Sequence, residues 1–211
     1  MKKTFFIFVA ISAALLLSAG RASAISHFTV NEFTTAESLD PGMTQTGIAF
    51  SLSDDYTSYY PEVRYGLGAL LELGARLGAV QATLDSGRNL GFLAGADLKY
   101  QLIKETEGVP IDLAVDLGWN NLIVDGKNAS EMTFATIASK SIALTDRGYK
   151  LVPYGGLALS ALFGSLSNHN NDSYLNVLAG LEWKLTQKFM LLFEVKAGDQ
   201  LTGGAEIRFE Y

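Results

Sequence analysis

The sequence predicts an all-β fold: a closed antiparallel up-and-down transmembrane β-barrel of about ten strands, eight being the other count the pattern allows. Three observations predict it. From Thr44 onward, short runs alternate apolar and polar residues, the period of two of a strand with unlike faces. The apolar rows run five or six positions without a charge, close to the roughly 9–11 residues that cross a bilayer on a tilted strand. Aromatics gather near the strand ends, at Tyr60, Tyr100, Trp119, Tyr174, Trp183, Phe189 and Phe209, where interfacial girdles belong. A soluble β-sandwich also alternates and stays as the alternative fold. An outward Lys or Arg at mid-depth in lipid costs roughly 2–4 kcal/mol, and the well-defined rows carry none. Closure follows, because an open sheet edge in hydrocarbon leaves backbone groups unpaired.

Ahead of the strands, Lys2-Lys3, the apolar run Phe5 to Leu17 and Ala22-Ser23-Ala24 have the make-up of a secretory signal cleaved after Ala24. The apolar run is shorter than the roughly 20 residues of a spanning helix. A mature chain of 187 residues would then begin at Ile25. Residues 25–42 read as an irregular periplasmic arm. Thr29, Asn31, Thr34, Thr35 and Ser38 follow no period, and Asp40-Pro41-Gly42 marks a turn. Ile25, Phe28, Val30 and Phe33 are apolar enough to dock. The barrel is expected over 43–211, as one domain.

The first strand is expected over 44–53, with Ile48, Phe50 and Leu52 on one face. The second, 60–68, sets Val63, Tyr65 and Leu67 against Glu62 and Arg64. The third, 70–83, sets Leu71, Leu73, Leu77 and their row against Glu72 and Arg76. The fourth, 90–102, opposes Phe92, Leu98 and Tyr100 to Asp97 and Lys99. The fifth, 110–120, opposes Leu113, Val115, Leu117 and Trp119 to Asp112 and Asp116. The sixth, 130–142, and the seventh, 150–163, are apolar on too many positions for their facing to be read. The eighth, 174–185, opposes Leu181, Trp183 and neighbours to Glu182 and Lys184. The ninth, 189–197, opposes Phe189, Leu191, Phe193 and Val195 to Glu194 and Lys196. Polar connections are expected near 54–58, 85–89, 121–130, 166–173 and 198–203.

The last strand, from Gly203, is the clearest. Ala205, Ile207, Phe209 and Tyr211 form an apolar row, and Glu206, Arg208 and Glu210 a charged one. This stretch resembles the closing strand of a bacterial outer-membrane β-barrel, whose final aromatic is read by the barrel-assembly machinery. The resemblance implies an assembly signal at Ile207, Phe209 and Tyr211 and a bacterial outer-membrane location. It also implies outer-membrane lipid and lipopolysaccharide as surroundings, and a terminal strand ending on the periplasmic side. By an even strand count, the five polar connections named above would then face outward.

Composition narrows the chemistry. Without Lys2, Lys3 and Arg21, thirteen basic residues face twenty-two acidic ones. No Lys- or Arg-rich stripe offers a nucleic-acid surface. There is no cysteine, hence no disulfide and no thiolate metal site. The lumen is expected to be lined by Glu62, Arg64, Glu72, Arg76, Asp97, Lys99, Asp112, Asp116, Glu182, Lys184, Glu194, Lys196, Glu206 and Arg208. In a small barrel such acids and bases from opposite walls meet and pair. The expected role is passive: a narrow solute channel, with small solutes as its partners, or a structural outer-membrane protein. No cofactor, metal or catalytic residue is assigned and no enzyme is expected. The alternatives are a barrel enzyme acting on lipid or peptide near His169, which has Ser165, Ser167, Asp172 and Ser173 as sequence neighbours, and a soluble periplasmic β-sandwich binding protein.

Overall fold

The computed structural model describes residues 30–84, 87–106, 108–144, 149–165 and 172–211. The signal-like segment and His169 lie outside these residues. The strands are β1 (Thr44–Ser53), β2 (Tyr56–Gly66), β3 (Leu71–Leu84), β4 (Gly87–Ile103), β5 (Asp112–Val124), β6 (Lys127–Ser139), β7 (Ile142–Ala143), β8 (Lys150–Phe163), β9 (Asp172–Lys184), β10 (Phe189–Ala197) and β11 (Leu201–Glu210). Each long strand pairs antiparallel with its sequence neighbour, β6 pairs with β8, and β1 pairs with β11. The result is a closed ten-stranded barrel. The two-residue β7 adds a short rung on the start of β8.

Closure places every strand between two others, so the ladder is satisfied all round. Ile48 is 70 % exposed, and Leu77, Phe134, Leu159, Leu175 and Ile207 lie on the same outer surface. Their alternate neighbours are buried. A soluble sandwich hides its apolar rows between two sheets; here they face outward and the ionised rows are enclosed.

Two strands unreadable from the sequence now have a facing. β6 turns Glu131, Thr133, Ala135, Ile137 and Ser139 inward, and β8 turns Val152, Tyr154, Ala158, Ser160 and Leu162 inward. The connection expected at 121–130 is mostly strand. β5 and β6 run to a two-residue turn at Asp125 and Gly126, both at positive φ (52° and 71°). That is the mirror-image hairpin turn, whose twist matches that of the strands. β2 and β4 likewise start earlier than expected, leaving only Asp54-Asp55 between β1 and β2.

Tyr211 and the start of β1 share one end of the barrel, where Tyr211 N donates to Thr44 O at 2.8 Å. This end is called proximal, and the end with the Asp125-Gly126 turn distal.

Candidate functional site: the barrel lumen

Ten carboxylates and five cations are buried among the described residues. Strand register explains their pairing. Glu62 on β2 stands opposite Arg76 on β3, and Glu72 on β3 opposite Lys99 on β4. Arg64 stands opposite Gly74, which in turn stands opposite Asp97. A side chain at position 74 would collide with the Asp97 carboxylate. Because Gly74 has none, Arg64 reaches across β3. Its guanidinium meets Glu72 at 2.5 Å, Glu62 at 2.6 Å and Asp97 at 2.5 Å. Arg76 also pairs with Asp97. Arg208 grips Glu206 in a fork, at 3.0 and 2.5 Å. Such bidentate contacts are the strong form of the charge-assisted hydrogen bond.

The rest of the polar wall is taken up by the chain itself. Val30 to Ala36 are buried inside the barrel, and so is Leu39. The described part of the irregular arm is thus a filling of the lumen. Glu194 accepts from Glu32 N (2.8 Å), Phe33 N (2.9 Å), Asn31 Nδ2 (3.1 Å) and Tyr154 OH (3.0 Å). Glu131 accepts from Val30 N, Ser139 from Ala36 N, Gln101 from Ser38 N and Glu72 from Leu39 N. Cations hold the carbonyls. Lys196 donates to Val30 O, Arg76 to Asn31 O, Arg208 to Phe33 O, and Lys99 to Thr35 O and Glu37 O. Phe33 has φ 44°, a left-handed conformation that costs a non-glycine residue on the order of 1–3 kcal/mol. Its N–H and carbonyl are held by Glu194 and Arg208 respectively.

The wall is cut to fit the arm. A Cβ at position 66 would lie 2.2 Å from Asp40 O, and one at position 204 would lie 2.5 Å from the Phe33 ring.

Toward the distal end the lumen changes character. Val80, Ala82, Leu93, Leu122, Val124, Ala129 and Leu162 point inward and join Val30, Phe33, Tyr56 and Tyr174 in one apolar cluster. At the proximal mouth a polar cleft of about 170 Å³ opens among Glu37, Asp40, Lys104, Glu182, Lys184 and Glu210. There Lys184 lies 3.4 Å from both Glu37 and Glu182. Burial pushes the Glu37 carboxyl up, but Lys184, aided by Lys150 and Lys104, holds it below its ordinary value.

Of the fourteen side chains assigned to the lumen from the sequence, thirteen are buried, and Lys184 is half-buried at the mouth. Asp112 sits apart from the main network, accepting from Gln101 Nε2 and Glu105 N, both at 2.8 Å. Asp116 faces Lys99 across the ladder, yet its Oδ1 has no hydrogen-bond partner among the described residues. Ile207, Phe209 and Tyr211 are exposed on the outer surface. Sequence reasoning left out Glu131, which binds the arm from β6, and the arm's Glu32, which pairs with Lys196 at 3.1 Å. Glu131 alternates with Thr133, but its apolar neighbours on that face mask the signal.

No family model and no curated protein matches the chain. Solved structures do. The β domain of the Bordetella autotransporter BrkA is 14 % identical, with a TM-score of 0.51 over 80 % of this chain and 98 % of that one. The chain has the fold of the outer-membrane β-barrels. The N-terminal β-barrel domain of OprF from Pseudomonas aeruginosa is 13 % identical, with a TM-score of 0.40 over 82 % of this chain and 100 % of that one. An outer-membrane channel from Pseudomonas putida F1 is 12 % identical, with a TM-score of 0.44 over 88 % and 100 %.

Proposed function

We propose that this chain is an integral protein of the bacterial outer membrane with a passive, structural role, its lumen held shut by its own N-terminal arm. In this reading it is secreted with cleavage after Ala24, and lipid and lipopolysaccharide bathe the outer apolar band. The assembly machinery reads Ile207, Phe209 and Tyr211. The observation that carries the closed state is the burial of Val30 to Ala36 and of Leu39 within the ring of strands. The apolar cluster at the distal end supports it, since an apolar constriction excludes water and ions.

A second reading rests on the excess of buried carboxylates over cations. With the arm withdrawn, such a wall favours small cations or neutral solutes, and the barrel becomes a gated narrow channel. Planar-bilayer recording on the purified full chain tests the two. The closed reading expects no current steps above background. Regular steps from the unmodified protein would overturn it in favour of the channel.

A further inference from the structure

The contacts of the arm have an unusual composition. Among the described residues, no main-chain hydrogen bond joins Val30–Leu39 to a strand of the barrel. Eleven of its main-chain groups are instead met by wall side chains, six N–H groups by acceptors and five carbonyls by cations. Side-chain recognition is thinner. It consists of Asn31 with Ser51 and Glu194, Glu32 with Lys196, Thr34 with Lys99, Glu37 with Lys184, and Ser38 Oγ with Leu70 O. The arm joins the barrel through Asp40-Pro41-Gly42, which is exposed.

We propose that the lumen is a binding site for an extended polypeptide of about ten residues, read through its main chain, and that the arm is its occupant in this state. This rests on the reading of the arm as the plug, and it goes further by naming the ligand class. The wall supplies acceptors, four of six from carboxylates and the others from Ser139 and Gln101, where a peptide has N–H groups, and cations where it has carbonyls. Those features belong to any peptide that takes the same path. Emptying the site removes three of the four donors on Glu194 and the carbonyl partners of Arg76, Lys99, Lys196 and Arg208, a loss of buried hydrogen bonds that a replacing strand avoids.

A protease site inserted at the exposed turn 40–42 of the full chain tests this, because such a turn tolerates insertion. The folded barrel is cut in detergent and then challenged with a labelled synthetic peptide of residues 25–42. The cut arm should stay with the barrel through gel filtration and exchange with the labelled peptide. A competitor with Thr35 and Asp40 changed to Ala, whose side chains make no hydrogen bond to the wall among the described residues, should compete within about threefold. A competitor N-methylated at Glu32 and Phe33, which loses both donors to Glu194, should compete at least about tenfold less well, as expected for lost hydrogen bonds to a charged acceptor. If the methylated peptide competes equally, or the labelled peptide never enters, the site does not exist as described. Should the insertion block folding, the intact chain is refolded with excess labelled peptide. Capture of peptide alongside a protease-accessible arm supports the site, and no capture overturns it. Conductance by the uncut protein would instead strike at the plug reading, whatever the exchange assay gives.

Discussion

The carbonyl of Asp40 fills the space beside Gly66 that any side chain at that position would need. The two segments are also tied by Gly42 N to Gly66 O at 2.9 Å and Gly66 N to Met43 O at 3.0 Å. The wall glycine therefore fixes where the arm turns into the barrel. Gly66→Ala should displace that turn at a cost of about 1–3 kcal/mol, the usual range for overpacking. Limited proteolysis should then cut the arm faster while the barrel keeps its heat-modifiable gel shift. An arm as resistant as in the parent would show that Gly66 does not position it.

Glu194 gathers four donors, three of them from the arm. Glu194→Ala leaves the N–H groups of Glu32 and Phe33 buried without an acceptor, at roughly 1–3 kcal/mol each. Transient openings should appear in bilayer recordings of this variant and be absent from the parent. Silence equal to that of the parent would mean that the arm is held elsewhere.

Arg64 is nearly solvent-free and touches three carboxylates at once. Removing one partner of a buried ion pair costs about 3–5 kcal/mol, because the other charge stays behind unpaired. Arg64→Met should therefore unfold in detergent at clearly lower denaturant concentration than the parent. The double change Arg64→Met with Asp97→Asn should recover part of that loss. An unchanged midpoint for the single variant would remove Arg64 as the hub of the network.

Glu37 gives the arm a pH dependence at the proximal mouth. Its ordinary value is 4.5, and Lys184 draws it lower against the opposing effect of burial. A carboxylate lowered on folding contributes stability above its unfolded value and loses it as pH falls through the folded one. Protection of the arm from protease should therefore decline as pH drops below about 4.5. Glu37→Gln should be less protected at neutral pH and should lack this part of the acid response. Parallel profiles for the two proteins would assign the response to other carboxylates.

The barrel is legible in the sequence wherever an outward apolar row alternates with an inward charged one. That holds for β2 to β5 and for β9 to β11, where Glu62, Asp97 or Glu206 alternates with an apolar row. It fails on β6 and β8, because Ala135, Ile137, Ala158 and Leu162 point inward into apolar clusters that include arm residues rather than at water. The Asp125-Gly126 turn carries a known hairpin signal, but the stretch 121–130 around it, opening on Asn121, reads as loop. In fact Asn120 faces the lumen and Asn121 accepts from Ser130 within the sheet. The lumen charges are readable one strand at a time; their partners are not. Five of the hydrogen bonds of Lys99, Arg208 and Glu194 go to arm backbone, and a segment held by side chains alone leaves no periodicity behind.

The order of contacts along the arm sets its direction. Leu39 lies by Glu72 and Asp40 by Gly66, both at the proximal end. Asn31 reaches Ser51, two residues short of the distal end of β1, and Val30 O takes Lys196, the last residue but one of β10. The backbone therefore climbs the lumen as it runs back toward its N-terminus, while Tyr211 stays at the proximal end. An epitope tag inserted between Ala24 and Ile25 should accordingly emerge at the distal mouth. On the orientation expected from the closing strand, with Tyr211 on the periplasmic side, that mouth would face the medium, and antibody should label intact cells. A tag in the Asp125-Gly126 turn serves as the distal control, and one in the turn 67–70 as the proximal control. If the turn tag at 125–126 labels intact cells while the N-terminal tag needs permeabilised ones, the barrel is oriented as proposed but the arm does not thread it. If both controls reverse, the barrel has the opposite orientation, and the periplasmic placing of Tyr211 falls instead.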